Sequence, residues 1–309
     1  MRRFVVFAAA VLSACASAPA PQPAPPPGPP PIPAQDPITV EAARAKLEAI
    51  SPHAVQLWVV VHIRAHKHVN PDGSVDEARL IHGALRDCDS VVQGGADAIV
   101  LINSRAELPV YERVITAIRE RYPDFPIVVS ALSYGPDNLT EGLRLAKAYS
   151  AQGVWTEVVP GEPFEYEDDD GTYKKAETTG RDFALLEHRK VKADAMHVSG
   201  VHMKYTRPLN GLDFVASMGA ALGSVDGINV TGPKTGVRAD VERIEKAREA
   251  AKGYPVGLAS GVSLENVGPV LPFIDYAIVG TSLKEDDDKL RTSLERVWRL
   301  RRLMHSVKR

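Results

Sequence analysis

Residues 195–284 contain four related runs: AMHVSGVHMKYT (195–206), DGINVTGPKTG (226–236), YPVGLASGVS (254–263) and DYAIVGTSLK (275–284). In each, β-branched and small apolar residues come without interruption and give way to small, polar or basic ones. Continuous rather than alternating hydrophobicity predicts strands covered on both faces, the condition of a buried parallel sheet. Helical patterns separate the runs. The repeating unit is therefore βα, and the glycines at the strand ends predict a site along one rim.

The same unit recurs upstream. Strands are predicted at 55–63 (VQLWVVVHI), 96–103 (ADAIVLIN), 126–133 (PIVVSALS) and 153–161 (GVWTEVVPG), which brings the count to eight. The fold class that follows is α/β, a single (β/α)8 or TIM barrel over residues 38–309, because roughly 270 residues suit one such barrel. A short helix at 39–50 puts Val40, Ala43, Leu47 and Ile50 on one face and is placed to cap the barrel bottom. Ser74 and Glu77 have capping-box spacing for the helix after strand one, which stops at Gly94-Gly95. Tyr134-Gly135-Pro136-Asp137 marks a turn after strand three, and the last helix is expected to bury Leu290, Leu294, Val297 and Met304.

One connection does not fit the repeat. Residues 162–181 are too long and too polar for an ordinary βα loop and carry Glu165, Glu167, Asp168, Asp169 and Asp170. Their spacing is not that of an EF-hand, so a solvated loop, long enough to serve as a lid, is the expectation.

The amino terminus is of a different character. Arg2 and Arg3 precede the apolar run 4–12, and small residues lead to Cys15, which predicts a secretory signal over 1–14 that is too short to span a membrane. Leu12-Ser13-Ala14-Cys15 resembles the lipobox of bacterial lipoproteins, and the resemblance implies a lipidated Cys15 and, with Ala16 next, an outer-membrane anchor facing the periplasm. Residues 16–37 are mostly Pro and Ala, a stiff extended spacer. With a formal net charge of -2, nucleic-acid binding is not expected. Two cysteines in such different settings exclude a disulfide framework, and Cys88, on the stripe Leu80, Ala84, Cys88, Val91, reads as a buried thiol.

In a barrel the loops after the strands build the site. The candidates there are His62, Asn103, Glu157, Lys204, Thr231, Gly232, Lys234, Ser260, Gly261, Gly280, Thr281 and Ser282. Ser260-Gly261 and Gly280-Thr281-Ser282 fall after strands seven and eight, where backbone amides can meet a phosphate; the same glycines would also serve tight turns. Glu157 and Lys204 come from adjacent strands and suit either proton transfer beside a carbonyl or a buried ion pair. His62, His66 and His68 have metal-ligand atoms, but a solvated basic loop is the reading preferred here. No metal or cofactor is expected, and the chain leaves a homo-oligomer open.

The tract from VHMKYTRPL through VTGPKTG, GLASGVSLENV and FIDYAIVGTSLK resembles the BtpA/SgcQ family of barrels, in order, over residues 153–284. Lys204, Thr231, Gly232, Thr235, Gly236, Gly261 and the run 280–284 stand where that family has its V-H-V-K-H-A, V-T-G-x-x-T-G, G-S-G-V and G-T-S-L-K motifs. The earlier half departs from it. HIRAHKH replaces a Pro-rich H-L-x-P-L-P-G and keeps only His62, Ile102-Asn103 stands for Glu-Asn, and Glu157 stands for Asn. The resemblance implies a phosphorylated small-molecule ligand, with links to photosystem I biogenesis and to sugar or nucleoside metabolism. It is compatible with lyase, isomerase or hydrolase chemistry using Glu157, Lys204, His62 and Asn103, or with a non-catalytic envelope barrel that binds or assembles.

Overall fold

Eight parallel strands close on themselves: β1 Gln56–Ile63, β2 Ala98–Asn103, β3 Ile127–Ser130, β4 Gly153–Thr156, β5 Met196–Gly200, β6 Gly227–Thr231, β7 Val256–Ala259 and β8 Tyr276–Val279. The computed structural model describes residues 34–307, apart from 105, 132–136, 169 and 177–179. The expected signal segment, Cys15 and the spacer up to residue 33 lie outside the described residues, as does most of the turn at 134–137. Each predicted strand is present, and β1 pairs with β8 in the register Gln56↔Tyr276 to close the barrel. Around it run α2 Glu77–Gln93, α3 Leu108–Arg121, α4 Asp137–Ala148, α5 Arg181–Val191, α6 Phe214–Ala221, α7 Val241–Ala250 and α8 Leu294–Met304. The seventh connection holds a 3-10 turn, Gly268–Phe273, interrupted by Pro272.

The barrel interior is filled from below. The helix α1, Val40–Ile50, is capped by the Thr39 hydroxyl, which accepts from Ala42 N, and inserts Leu47 and Ile50 into the inner cluster. Gln56 then seals the floor, donating to the Leu47 and Ser51 carbonyls and accepting from the Trp58 indole. Trp58 and Tyr276 stack at 4.2 Å between ring centroids, and the Tyr276 hydroxyl donates to Asn229. Gly257 makes room for that pair: a Cβ there would lie 2.2 Å from the Tyr276 ring. Alternate residues of the same strands, such as Val59, Val61 and Ile99, face outward and pack under the helices. Outside the floor, both oxygens of buried Asp97 are taken up, by Ser51, His53, Leu57 N and His305, which ties the end of α8 to the start of β1.

Some sequence expectations are corrected. The helix α2 starts on Asp76, whose carboxylate accepts from Arg79 N, while Ser74 bonds back to Asp72 in the turn before it. Leu290 and Leu294 are exposed, and α8 instead buries Val297, Leu300 and Met304. The insertion after β4 has structure of its own. Phe164–Glu167 and Tyr173–Lys175 form an antiparallel hairpin, and Thr206–Pro208, from the loop after β5, adds a third strand. At the hairpin turn Lys174 pairs with Asp168 and Asp170 accepts from Thr172, while Glu165 and Glu167 lie on the first strand. Cys88 is fully buried, and burial pushes its thiol pKa far up, so it is an inert packing residue.

Candidate functional site at the barrel mouth

Beyond the packed interior the side chains become small, and a cavity of about 280 Å³ remains at the strand C-terminal ends. Val60 and His62 of β1, Ile102 of β2, Trp155 of β4 and Ile278 of β8 form its inner wall. Its rim is made by Lys204, Thr235, Gly236, the loop 260–263, Asn266 and the loop 280–282. Tyr205, beside Lys204, is bonded to Thr235, which links the loops after β5 and β6.

The loops after β7 and β8 are held by their own polar groups. Asn266 donates to the Gly261 carbonyl and accepts from Ser263 N, and the Ser282 hydroxyl donates to the Val262 carbonyl. Ser260 and Gly261 both take left-handed backbone angles, φ 76° and 70°. For Ser260 that conformation is costly, of order 1 kcal/mol or more, and such strain persists where the surroundings enforce it. For Gly261 the demand is absolute, because a Cβ would lie 2.2 Å from the Val237 carbonyl oxygen. Among the described residues, the backbone N–H groups of Gly261, Val262, Thr281 and Ser282 have no acceptor. Donors of this kind are those an anion satisfies.

Lys204 enters from the loop after β5. Its backbone N–H donates to Thr231 Oγ1 at 3.0 Å, which fixes the chain, and its Nζ donates to Ser260 Oγ at 2.7 Å, which aims the ammonium at the rim. His62 faces it from β1. Burial, then the charges of Arg64, Lys284 and Lys204, lower its pKa to about 3, so the ring is neutral near pH 7. Its Nδ1 is buried without a partner among the described residues. The arrangement is a positive, donor-rich cup beside a neutral imidazole able to exchange a proton.

Seven predicted residues therefore meet on one cavity: His62, Lys204, Ser260, Gly261, Gly280, Thr281 and Ser282. Thr231 supports Lys204 from beneath. Gly232 allows close packing against Val237 and Arg238, and Lys234 is exposed and off the wall. Asn103 is turned outward by the strand alternation and closes its own loop, its amide bonding both ways with the Ala106 backbone. Glu157 lies one residue past β4 and makes no ion pair with Lys204. The two only sense each other: burial raises the Glu157 pKa and the Lys204 charge opposes that rise. His66 is exposed, so the three early histidines do not converge. Trp155 and Asn266 were not foreseen. Trp155 points into the barrel from β4 while its neighbour Val154 packs outward, and Asn266 follows Ser263 at the spacing of a local side-chain cap.

The architecture defines a TIM barrel with an open cavity at the C-terminal face of its strands. Residues 170–309 match the model of the BtpA family. The chain is 25% identical over 216 residues to the photosystem I biogenesis protein BtpA of Synechocystis sp., covering 66% of this chain and 72% of that protein. It is also 25% identical over 260 residues to an uncharacterized protein of Pyrococcus furiosus, covering 80% and 94% of the two chains. Among solved structures it resembles thiamine phosphate pyrophosphorylase from Pyrococcus furiosus, with TM-score 0.52 and 14% identity over 82% of this chain and 97% of that one. The native KDPGal structure matches with the same TM-score and identity over 81% and 94%. Likeness at this identity concerns the fold. Taken together, these findings support a TIM-barrel protein whose residues 170–309 match the BtpA family model.

The neutral state of His62 has a measurable consequence. Its folded pKa, about 3, is below the ordinary 6.5, so the unfolded chain takes up the proton first as pH falls. The stability that depends on neutral His62 is thus complete above pH 6.5 and is lost progressively toward pH 3. Urea unfolding of His62→Gln at pH 7 and pH 4 should show a smaller loss between the two than wild type, by on the order of 3 kcal/mol. An unchanged loss would mean that His62 is not held neutral.

Proposed function

We propose that this chain is a BtpA-family barrel throughout and that its mouth cavity binds a small phosphorylated ligand. The observation that carries the reading is the meeting of Lys204 Nζ, through Ser260, with four unpartnered backbone N–H groups on two loops, one of them strained at Ser260. A phosphate there would satisfy the donors and meet a fixed cation without further ordering of the loops.

On the catalytic reading, the substrate is a phosphosugar or nucleoside-like compound and the reaction a lyase, isomerase or hydrolase step. His62 takes or returns the proton on its ring, Lys204 stabilises developing negative charge, and Glu157, whose pKa burial raises, stands beyond the wall. A second reading, a non-catalytic envelope barrel, is favoured by one finding: Asn103 and Glu157, two of the four side chains expected to react, do not line the cavity. Export by the 1–14 signal and lipidation at Cys15 belong to this proposal, with the 16–37 spacer holding the barrel off the outer membrane on its periplasmic side.

Calorimetric titration with ribose 5-phosphate should show Lys204→Gln binding at least about tenfold more weakly than wild type, since a charge-assisted bond contributes about 1.5–3 kcal/mol. Equal affinities would remove the phosphate site. If wild type turns over a phosphosugar, His62→Gln should bind it and not react; wild type that binds and turns over none of a phosphosugar panel decides for the non-catalytic reading. Labelling cells with radioactive palmitate should mark wild type and leave Cys15→Ser unmarked. Label in the variant, or none in wild type, contradicts the anchor.

A further inference from the structure

A second cavity, of about 210 Å³, lies behind His62. The wall it shares with the mouth cavity is His62 itself, and its other sides come from Arg64 and His68 after β1, from α2 and from the loop before α8. Arg79, His82, Gly83 and Arg86 follow one another on α2 at the spacing that puts them on a single stripe facing this cavity. Gly83 leaves the stripe's centre open: a Cβ there would come no nearer than 3.8 Å to the His68 ring.

The charges in this cavity are unbalanced. Four cationic side chains, Arg64, Arg79, Arg86 and Lys284, face two carboxylates, and both carboxylates are engaged. Asp87 holds buried Lys284 at 3.0 Å and accepts from Thr292 N, with a long contact to Arg86 at 3.4 Å. Asp288 caps its own turn through Leu290 N. The Arg64 and Arg79 guanidiniums have no hydrogen bond or ion pair among the described residues, and the Nδ1 atoms of His62 and His68 are buried without partners. Cations gathered around unpartnered imidazoles repel one another unless an anion sits between them.

We propose that this cavity is a second anion subsite, so that the ligand carries two anionic groups, one at the 260–263 and 280–282 rim and one on Arg64, Arg79 and Arg86, with His62 between them. The subsite deepens the phosphorylated-ligand reading and rests on it for the first group only. A bisphosphorylated sugar, or a phosphosugar bearing a carboxylate, is the class of compound that fits. Guanidiniums are suited to it because each offers a forked pair of donors to a phosphate or carboxylate.

The test is calorimetric titration of the full chain, at fixed low ionic strength, with a pentose 5-phosphate and the corresponding 1,5-bisphosphate. Wild type should bind the bisphosphate at least about tenfold more tightly. Arg79→Gln, on an exposed helix face, and Arg64→Gln should each reduce that preference several-fold while leaving monophosphate affinity unchanged. Lys67→Gln, an exposed cation off the cavity wall, should leave the preference intact. Equal binding of the two compounds to wild type, or a preference untouched by Arg64→Gln and Arg79→Gln, overturns the subsite, as does a preference lost equally in Lys67→Gln. Bisphosphate binding that needs Arg64 and Arg79 but is indifferent to Lys204→Gln would instead keep the subsite and defeat the rim reading.

Discussion

The structure depends on how the interior of the barrel is filled. Trp58 and Tyr276 stack across the lower half, Leu47 and Ile50 close it from below, and glycines at 227 and 257 yield the space the Tyr276 side chain occupies. A core packed to ordinary density leaves no room at that level. Toward the mouth the lining turns small, with Ser260, Gly261 and Gly280 on the wall that His62 and Trp155 share, and a cavity is the geometric remainder. The bulky floor fixes where the strands stand, and the light rim leaves their ends free to bind.

Charge is placed with the same logic. Lys204 reaches the mouth because Thr231 holds its backbone and Ser260 its ammonium. Lys284, next along the β8 loop, is drawn the other way and paired with Asp87 on α2, under the basic cavity. His62 sits between the two lysines, neutral because it is buried and surrounded by cations. An imidazole in that setting accepts a proton readily only when an anion arrives to offset the neighbouring charge, so ligand binding and proton transfer are coupled at this position.

Much of this was legible in the chain. Unbroken apolar runs located all eight strands, because a strand covered on both faces leaves that signature, and the glycine-tipped ends of β7 and β8 located the rim. The same signature hid which side chains point inward. With both faces apolar, Asn103 and Ile102 are equivalent in sequence, and only the closed barrel shows that Ile102 lines the cavity. Glu157 was misplaced for a related reason: β4 ends at Thr156, and the residues after it leave the strand phase. The insertion after β4 could not be read as a sheet, since its third strand, Thr206–Pro208, is supplied from some forty residues away. The stripe of Arg79 and Arg86 has no mark in sequence that separates it from a solvated helix face; only the loops after β1 and β8, which line the same cavity, give it a context.

The central claim, that the rim of β7 and β8 is an anion site, is tested most directly by diffraction from crystals grown in phosphate or sulfate. The account predicts tetrahedral density between Gly261 and the Gly280-Thr281-Ser282 loop, within hydrogen-bond distance of their backbone N–H groups and of Lys204 Nζ. Ordered water alone at that position, with the anion bound elsewhere or nowhere, would contradict it.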